Sequence, residues 1–553
     1  VTLGGGLGER EFADDFDHQA ALVADTWHVR GFGILWEPGV AKSRPTIETA
    51  VRLYENKHID GVIVLAPDGV HRNWITDELP RHCRAPWIGV DWDAQRAKVR
   101  QQIADVAQVL GGRGRLLWLA MTYDGLKTPA GLEVARAFRR AFPRYMLVID
   151  ESSRVAGATT ARTKICKAVA IAAACVRILN GTPVGNSPLD LYSQIVMIDE
   201  HFWRRHGIAS YTAFEATFAV KRKIVIAAPT DGVAAREPAS SRKLVAEPVV
   251  GDAAAFELAM ESGDLVAGDD GEEAPVAAAA ASPVPASRGR TVEVIAYYRD
   301  LDKLHRMIAP ITSRLTKEQA GIHLPPKLYT RIPFELAPIQ RAAYDKLKRE
   351  CMLELEGKLV TATLAIVKIL RLQQIACGYL PNPDDPDAEP MRLPGNELDD
   401  PRMLHAIDLC ASIPYKAIIW ARFRHDVDRL CKMLGDRCVR YDGAVTSSKA
   451  RAAAIDAFRG GDKAQFFVAN PAAIGVGVTL VEAKAAIYYS NSFKYDERIQ
   501  SEARCHRVGQ HNPVTYYDLV ALRTVDEKIQ KSLIEKNKIA AEVVGDDLRE
   551  WLS

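Results

Sequence analysis

Met146-Leu147-Val148-Ile149-Asp150-Glu151-Ser152-Ser153 is an unbroken apolar run that ends in two adjacent carboxylates. A short apolar run bounded by polar residues reads as a strand covered on both faces, as in a parallel sheet with helices on either side. Ligands bind such sheets at the carboxyl ends of the strands, so Asp150 and Glu151 fall at the binding edge. One carboxylate there can hold Mg²⁺ (Asp150) while its neighbour orients and deprotonates an attacking water (Glu151). For the pair taken alone, a solvated acidic turn is the competing reading.

Runs of the same kind occur on either side, at 61–66, 116–120 and 176–179, separated by helical stretches at 131–142 and 161–174. The pattern returns at 417–420, 466–469, 486–489 and 516–520, after a strongly helical stretch at 336–374. This predicts an α/β protein of two lobes, each a mainly parallel sheet with helices on both faces. Between them, 228–290 is rich in Ala, Pro, Gly, Ser and acidic residues, as in Gly268-Asp269-Asp270-Gly271-Glu272-Glu273. Such a composition buries too little apolar surface to offset ordering entropy, so the segment is expected to be a disordered insertion, with a short helix at 253–260. The expected division is a first lobe at 1–227, the insertion at 228–290, a second lobe at 291–530 and a helical tail at 531–553.

The chain has 553 residues, 48% of them hydrophobic and 26% charged, with a formal net charge of +2. That balance excludes a polycation coating nucleic acid along its whole surface, so a nucleic-acid site must be a local basic face. The nine cysteines show no zinc-ligand spacing and read as reduced thiols of an intracellular protein. The longest apolar stretch, 165–179, carries Lys167 and Arg177 and is too short to span a bilayer. A cytoplasmic monomer with no membrane partner is expected.

Two further segments carry chemistry. Glu37-Pro38-Gly39-Val40-Ala41-Lys42-Ser43 follows a short apolar run and precedes a helical stretch. Small residues let backbone N–H groups approach phosphate oxygens, a lysine reaches the outer phosphates, and a serine hydroxyl serves Mg²⁺. Lys42 and Ser43 fit, whereas Ala41 stands where glycine is expected; a plain turn before a helix is the competing reading. In Gln500-Ser501-Glu502-Ala503-Arg504-Cys505-His506-Arg507-Val508-Gly509-Gln510, arginines three apart are expected on one helical face, where they can reach the same anion; a solvated basic helix is the competing reading. His18 and His506 read as structural hydrogen-bonding residues, and Arg162 and Lys164 fit a solvated helix face equally well.

Together these segments resemble the Swi/Snf-like branch of helicase superfamily two, ATP-driven translocases on double-stranded DNA. Phe16-Asp17-His18-Gln19 resembles the adenine-sensing motif, 37–43 motif I, and Ala66-Pro67 with Asn73-Trp74 motif Ia. Asp150-Glu151 resembles motif II, and Asn180-Gly181-Thr182-Pro183 motif III. Leu324-Pro325-Pro326-Lys327 resembles the entry to the second lobe, 418–423 motif IV, 475–480 motif V and 500–510 motif VI.

The resemblance implies two RecA-like lobes with a nucleotide cleft between them, and ATP with Mg²⁺ as cofactors. It implies that Gln19 contacts adenine and that Gly39, Val40, Ala41, Lys42, Ser43, Gly477 and Gln500 bind nucleotide. Ser43 and Asp150 hold the metal, Glu151 serves the attacking water, and Arg504 and Arg507 are arginine fingers. Pro67, Thr122, Asn491 and Lys494 are expected to grip the backbone of duplex or forked DNA, with Arg498 adding charge, and the 228–290 insertion to dock a partner protein. A compact bacterial or viral type, in the nucleoid or an infected host cell, is expected.

Three departures bear on activity. Ala41 replaces a glycine, Ser152-Ser153 replaces the usual small residue and histidine, and Ala503 replaces an acidic residue expected to pair with an arginine. A strand-separating or annealing helicase, and a DNA-binding scaffold with ATPase weakened by Ala41, are the alternatives to a translocase.

Overall fold

The computed structural model describes residues 2–4, 17–92, 114–185, 187–226, 290–357, 362–382, 389–396, 399–445, 447–461, 463–474 and 478–544. Its strands form two large sheets. The first contains β1 (Thr2–Gly4), β2 (Gly31–Ile34), β3 (Gly61–Ala66), β4 (Trp87–Trp92), β5 (Leu116–Thr122), β6 (Tyr145–Asp150) and β7 (Cys175–Leu179). A ribbon of β8 (Ala219–Ile226) and β9 (Arg290–Tyr298) follows, and then β10 (Thr312–Ser313) completes the first sheet. Its order is β1-β4-β5-β3-β6-β7-β2-β10, parallel except where β1 meets β4.

The second sheet contains β11 (Lys327–Phe334) and, beyond a small hairpin of β12 (Tyr379–Leu380) and β13 (Met391–Arg392), four further strands before the last. These are β14 (Ala417–Trp420), β15 (Cys438–Tyr441), β16 (Phe466–Ala469) and β17 (Ala485–Tyr488), closed by β18 (Val514–Ala521). The order is β11-β18-β17-β14-β16-β15, parallel throughout. The α/β class and the two mainly parallel sheets are those expected from the sequence.

Unbroken apolar strands are explained by cover on both faces. Along β3, Ile63 and Leu65 pack into one core layer, whereas Val62, Val64 and Ala66 pack into the other. In the second sheet Ile419 faces one layer while Ile418 and Trp420 face the opposite one. The helix Pro129–Ala141 shows how the cover is built: Thr128 caps it through the Gly131 amide, and Leu132, Val134, Ala135 and Phe138 form its buried face.

Two expected boundaries differ in the structure. The second lobe was expected from 291, but β9 pairs with β8, Leu301, Leu304 and Ile308 lie in the first lobe's core, and β10 pairs with β2. The second sheet starts only at Lys327. The tail expected from 531 lies inside one helix, Val525–Val544, whose Ile529, Leu533, Ala540 and Val543 join the first lobe's core. Apolar residues at helical spacing needed a surface, and the first lobe supplied it. Residues 228–289, with the expected helix at 253–260, lie outside the described residues.

One buried carboxylate in the second lobe gives a pH prediction. Both oxygens of Asp426 are buried without a hydrogen-bond partner among the described nitrogens and oxygens. Burial pushes its pKa up to about 7, against the pull of Arg429 and Arg402. The native state then holds a proton between about pH 4 and 7 that the unfolded chain releases, so stability falls as pH rises through that window. Asp426→Asn is expected to be more stable than the parent by about 2–4 kcal/mol at pH 8 and to match it near pH 4, measured by urea denaturation at both.

Candidate nucleotide-binding site

The carboxyl ends of β2, β3, β5 and β6 share one edge of the first sheet, and the expected residues collect there. The loop after β2 turns at Gly39 (φ 97°), passes Ala41 in the left-handed region (φ 53°) and enters the helix Ser43–Glu55. A Cβ at Ala41 makes that conformation cost about 1–2 kcal/mol relative to glycine. Gln19 is buried against this loop and donates from Nε2 to the Ala41 carbonyl at 3.1 Å, while its Oε1 is buried without a partner among the described residues.

Lys42 Nζ donates to the carbonyls of Trp36 (3.1 Å) and Glu37 (3.3 Å). Burial lowers its pKa, opposed by Glu151 and Asp150. Asp150, at the end of β6, accepts from Trp74 Nε1 at 2.9 Å, and burial raises its pKa. Glu151 follows in a left-handed turn (φ 54°). Burial and then Asp150 raise its pKa to about 7, with Lys42 and Arg504 pulling the other way.

Ser152 answers one departure from the family pattern. Its hydroxyl donates to Gln194 Oε1 at 2.6 Å and accepts from Asn180 Nδ2 at 3.3 Å, and Asn180 also donates to Gln194 Oε1 at 3.0 Å. The carboxylate turn is thereby joined to the strand end after β7 by a buried polar network.

The second lobe meets this edge. Gln500 Nε2 donates to Glu151 Oε2 at 3.4 Å. A Cβ built on Gly39 would lie 3.5 Å from both Arg507 Cγ and Lys317 Cε. Arg504 is buried beside Glu151 with its Nε unpartnered among the described residues; burial and then Arg507 lower its pKa to about 10. Arg507 donates to Thr479 Oγ1 at 3.1 Å and feels the charge of Glu78.

The two arginines are not on a helical face as expected. The helix Tyr495–Glu502 stops before them, and they project from turns held by Gln510, whose Nε2 donates to the carbonyls of Val481 and Ala483 at 2.9 Å each. Glu502 bears on the Ala503 departure. Fully buried, it accepts from Arg498 (2.7 Å), Lys327 (3.2 Å) and Tyr329 (2.9 Å), so the acid of this segment serves the scaffold rather than the arginines.

Among the residues expected to grip DNA, Pro67 and Thr122 follow and end adjacent strands, β3 and β5, at the open edge. Asn491 is committed internally: its Nδ2 donates to Asp518 at 2.8 Å and its Oδ1 accepts from Arg498 at 3.1 Å. Arg498 is likewise buried, paired with Asp518 and Glu502, its guanidinium 3.6 Å from the Tyr488 ring centre. Lys494 is exposed and pairs with Glu497 at 2.7 Å. With Arg422, Ser490 and Ser492 it lines a cavity of about 200 Å³ at the carboxyl edge of the second sheet. Gly477 lies outside the described residues.

Sequence reasoning missed Glu78 and Lys317. The Glu78 carboxylate accepts from the Ser43 hydroxyl, and burial followed by Asp77 and Asp150 pushes its pKa up to about 7. It lies on a wide turn of π-helix, Trp74–Glu78, a distortion that helical spacing does not foretell.

Among the described residues there is no cluster of three or more His, Cys, Asp or Glu able to hold a metal, and no helix long and apolar enough to cross a membrane. Comparison with known proteins adds the following. The helicase conserved C-terminal domain family matches residues 401–509, which include both arginines. The mouse SWI/SNF-related matrix-associated actin-dependent regulator of chromatin subfamily A member 1 is 28% identical over 41% of this chain and 23% of its own length. Mouse chromodomain-helicase-DNA-binding protein 1-like is 24% identical over 46% of this chain and 30% of its own. An uncharacterized ATP-dependent helicase of Mycoplasma genitalium, MG018, is 25% identical over 44% and 24%. The chain thus spans less than a third of each of these relatives. The solved Sulfolobus solfataricus SWI2/SNF2 ATPase core in complex with dsDNA aligns over 98% of this chain and 95% of its own, at 18% identity and a TM-score of 0.35, too low to carry an inference. With its match to the helicase conserved C-terminal domain and its Swi/Snf relatives, the chain is similar to the Swi/Snf-like branch of helicase superfamily two.

Proposed function

We propose that the chain is a motor that hydrolyses ATP as its lobes meet and moves along double-stranded DNA, remodelling it or displacing bound protein. The observation that carries this reading is the seating of the second lobe's Arg507 against Gly39 of the phosphate loop and of its Gln500 on Glu151 of the carboxylate turn.

The residues suit a magnesium nucleotide. The buried Gln19 Oε1, unpartnered among the described residues, is an acceptor for an exocyclic amine. Ser43 and Asp150 are hard oxygen donors of the kind Mg²⁺ takes. Held by these residues, Mg²⁺ would supply positive charge against the negative charge of the phosphates. Lys42 supplies positive charge to the outer phosphates. Glu151 orients the attacking water and accepts its proton. Arg504 and Arg507 meet the charge that grows on the γ-phosphate, most strongly where water is excluded. Because they come from the second lobe, hydrolysis requires the lobes to be together, and nucleotide turnover is converted into relative motion.

Grip on DNA is assigned to phosphates, as indifference to sequence demands. Pro67 and Thr122 offer the first lobe's edge; Lys494, Arg422 and Ser492 around the 200 Å³ cavity offer the second's. Asn491 contributes by holding Arg498 and Asp518 in place.

The left-handed Ala41 favours one second reading, a DNA-binding scaffold with weakened ATPase. ATPase rates without DNA and with single-stranded, duplex and forked DNA, for the parent and Ala41→Gly, test both. The motor reading expects stimulation by duplex in the parent, little change in Ala41→Gly and no strand displacement on forks. Turnover appearing only in Ala41→Gly would establish the scaffold, and displaced strands would establish an unwinding helicase.

A further inference from the structure

The segment 314–326 joins β10, at the border of the first sheet, to β11, at the border of the second. On its way it runs beside the phosphate loop. The amides of Leu35 and Glu37 donate to the carbonyls of Ser313 (2.8 Å) and Leu315 (2.9 Å), and Arg314 Nη1 donates to the Leu35 carbonyl at 2.6 Å. This strap is thus an added strand edge for the loop that carries Gly39 and Lys42.

Lys317 stands where the strap faces both halves of the site. Its backbone N–H donates to Glu37 Oε2 at 2.8 Å, which fixes the start of the phosphate loop. Its side chain passes Gly39 and donates from Nζ to the His506 carbonyl at 2.8 Å, with His506 Nδ1 at 3.5 Å. His506 lies between Arg504 and Arg507 in the chain, and its Nε2 is 2.8 Å from the Pro325 carbonyl, near the far end of the strap. An Nε2–H donating to that carbonyl leaves Nδ1 as an acceptor facing the lysine. One imidazole and one ammonium therefore tie the arginine turn to the strap at two points. Burial, and then Lys327 and Lys317, hold His506 neutral by lowering its pKa to about 4, which agrees with that tautomer.

We infer that Lys317 is a positioning residue: it transmits the position of the phosphate loop to the His506 turn and so sets how far Arg504 and Arg507 reach toward the γ-phosphate. The inference rests on the motor reading for its catalytic consequence, but the contact itself is independent of turnover. A side chain that merely filled space would leave the turn where Gln510 and Thr479 hold it. Lys317 instead supplies a link between lobes through which the loop and the fingers move together. Displacing a catalytic group by about 1 Å costs on the order of 10²-fold in rate.

The test uses the full chain with Lys317→Ala and Lys317→Arg, and two measurements. In duplex-stimulated ATPase assays, Lys317→Ala is expected to lose about 10–100-fold in kcat while equilibrium binding of a fluorescent ATP analogue stays close to the parent's. Lys317→Arg, which can still donate to the His506 carbonyl, is expected to recover most of the rate. In hydrogen exchange without nucleotide, the amides of 504–510 are expected to lose protection in Lys317→Ala and to keep it in Lys317→Arg, with melting temperature unchanged. Parent-like kcat in Lys317→Ala, equal loss of binding and rate, arginine no better than alanine, or unchanged exchange in the turn would each overturn the inference. A parent without DNA-stimulated ATPase would sink the motor reading alone, and the exchange measurement would still decide the role of Lys317 in the turn.

Discussion

Alanine at Arg504 or Arg507 is expected to lower the duplex-stimulated ATPase rate by about 10³–10⁵-fold, the range found for cations supplied to a transferring phosphoryl group. Both guanidinium groups lie in the second lobe and approach a loop of the first, Arg507 against Gly39 and Arg504 beside Glu151. Their burial is unfavourable while the site holds no triphosphate, as the lowered pKa of each records. That cost is repaid by charge developing on the γ-phosphate, so the loss should fall on kcat. Binding of an ATP analogue, which depends on Gln19 and the first lobe's loop, should change by only a few fold. Single-turnover ATPase measurements alongside equilibrium binding check both parts, and normal hydrolysis by either variant would remove the lobe-closure mechanism.

Arg402→Met is expected to destabilise the second lobe by about 3–5 kcal/mol, the usual cost of removing one member of a buried ion pair. Arg402 is fully buried and pairs with Asp526. It also donates from Nε to the Ala376 carbonyl at 3.0 Å and from Nη1 to the carbonyl of Tyr489. One side chain thereby joins a helix end, the strand β17 and the start of the C-terminal helix. Its loss leaves the Asp526 carboxylate in the interior without its cation. Adding Asp526→Asn should restore part of the loss, because the amide still accepts from the Ala521 N–H while carrying no charge. Urea denaturation of the two variants and the parent checks the order.

The Asp426 prediction in the same lobe has the opposite sign for the same physical reason. Arg402 is costly to remove because its charge is paired, whereas Asp426 is costly to keep ionised because it is buried with no nitrogen or oxygen partner among the described residues.

Strands could be read from sequence because both faces of each sheet are covered, which leaves runs such as 61–66 and 417–420 without a polar residue. The acids at 150 and 151 and the basic loop at 42 and 43 could also be read, since chemistry demands those residue types at strand ends. The family resemblance then ordered them. The internal pairing of the Asn491 and Arg498 side chains could not be read, because a polar loop at a sheet edge and a buried ion-pair network have the same composition; only the positions of Asp518 and Glu502 tell them apart.

What the sequence alone determined is therefore local: which segments become strands and helices, and which residues are chemically able to bind phosphate, metal and water. Tertiary structure decided what depends on distant partners. It assigned β10 to the first sheet, laid the helix Val525–Val544 back on the first lobe, turned Glu78 toward Ser43 and set Lys317 between Glu37 and His506. Periodicity records which face of an element is buried, but not which lobe buries it. A lone lysine in a linker carries no signal until the chain folds and brings a carboxylate 280 positions away and a carbonyl 189 positions away to either side of it.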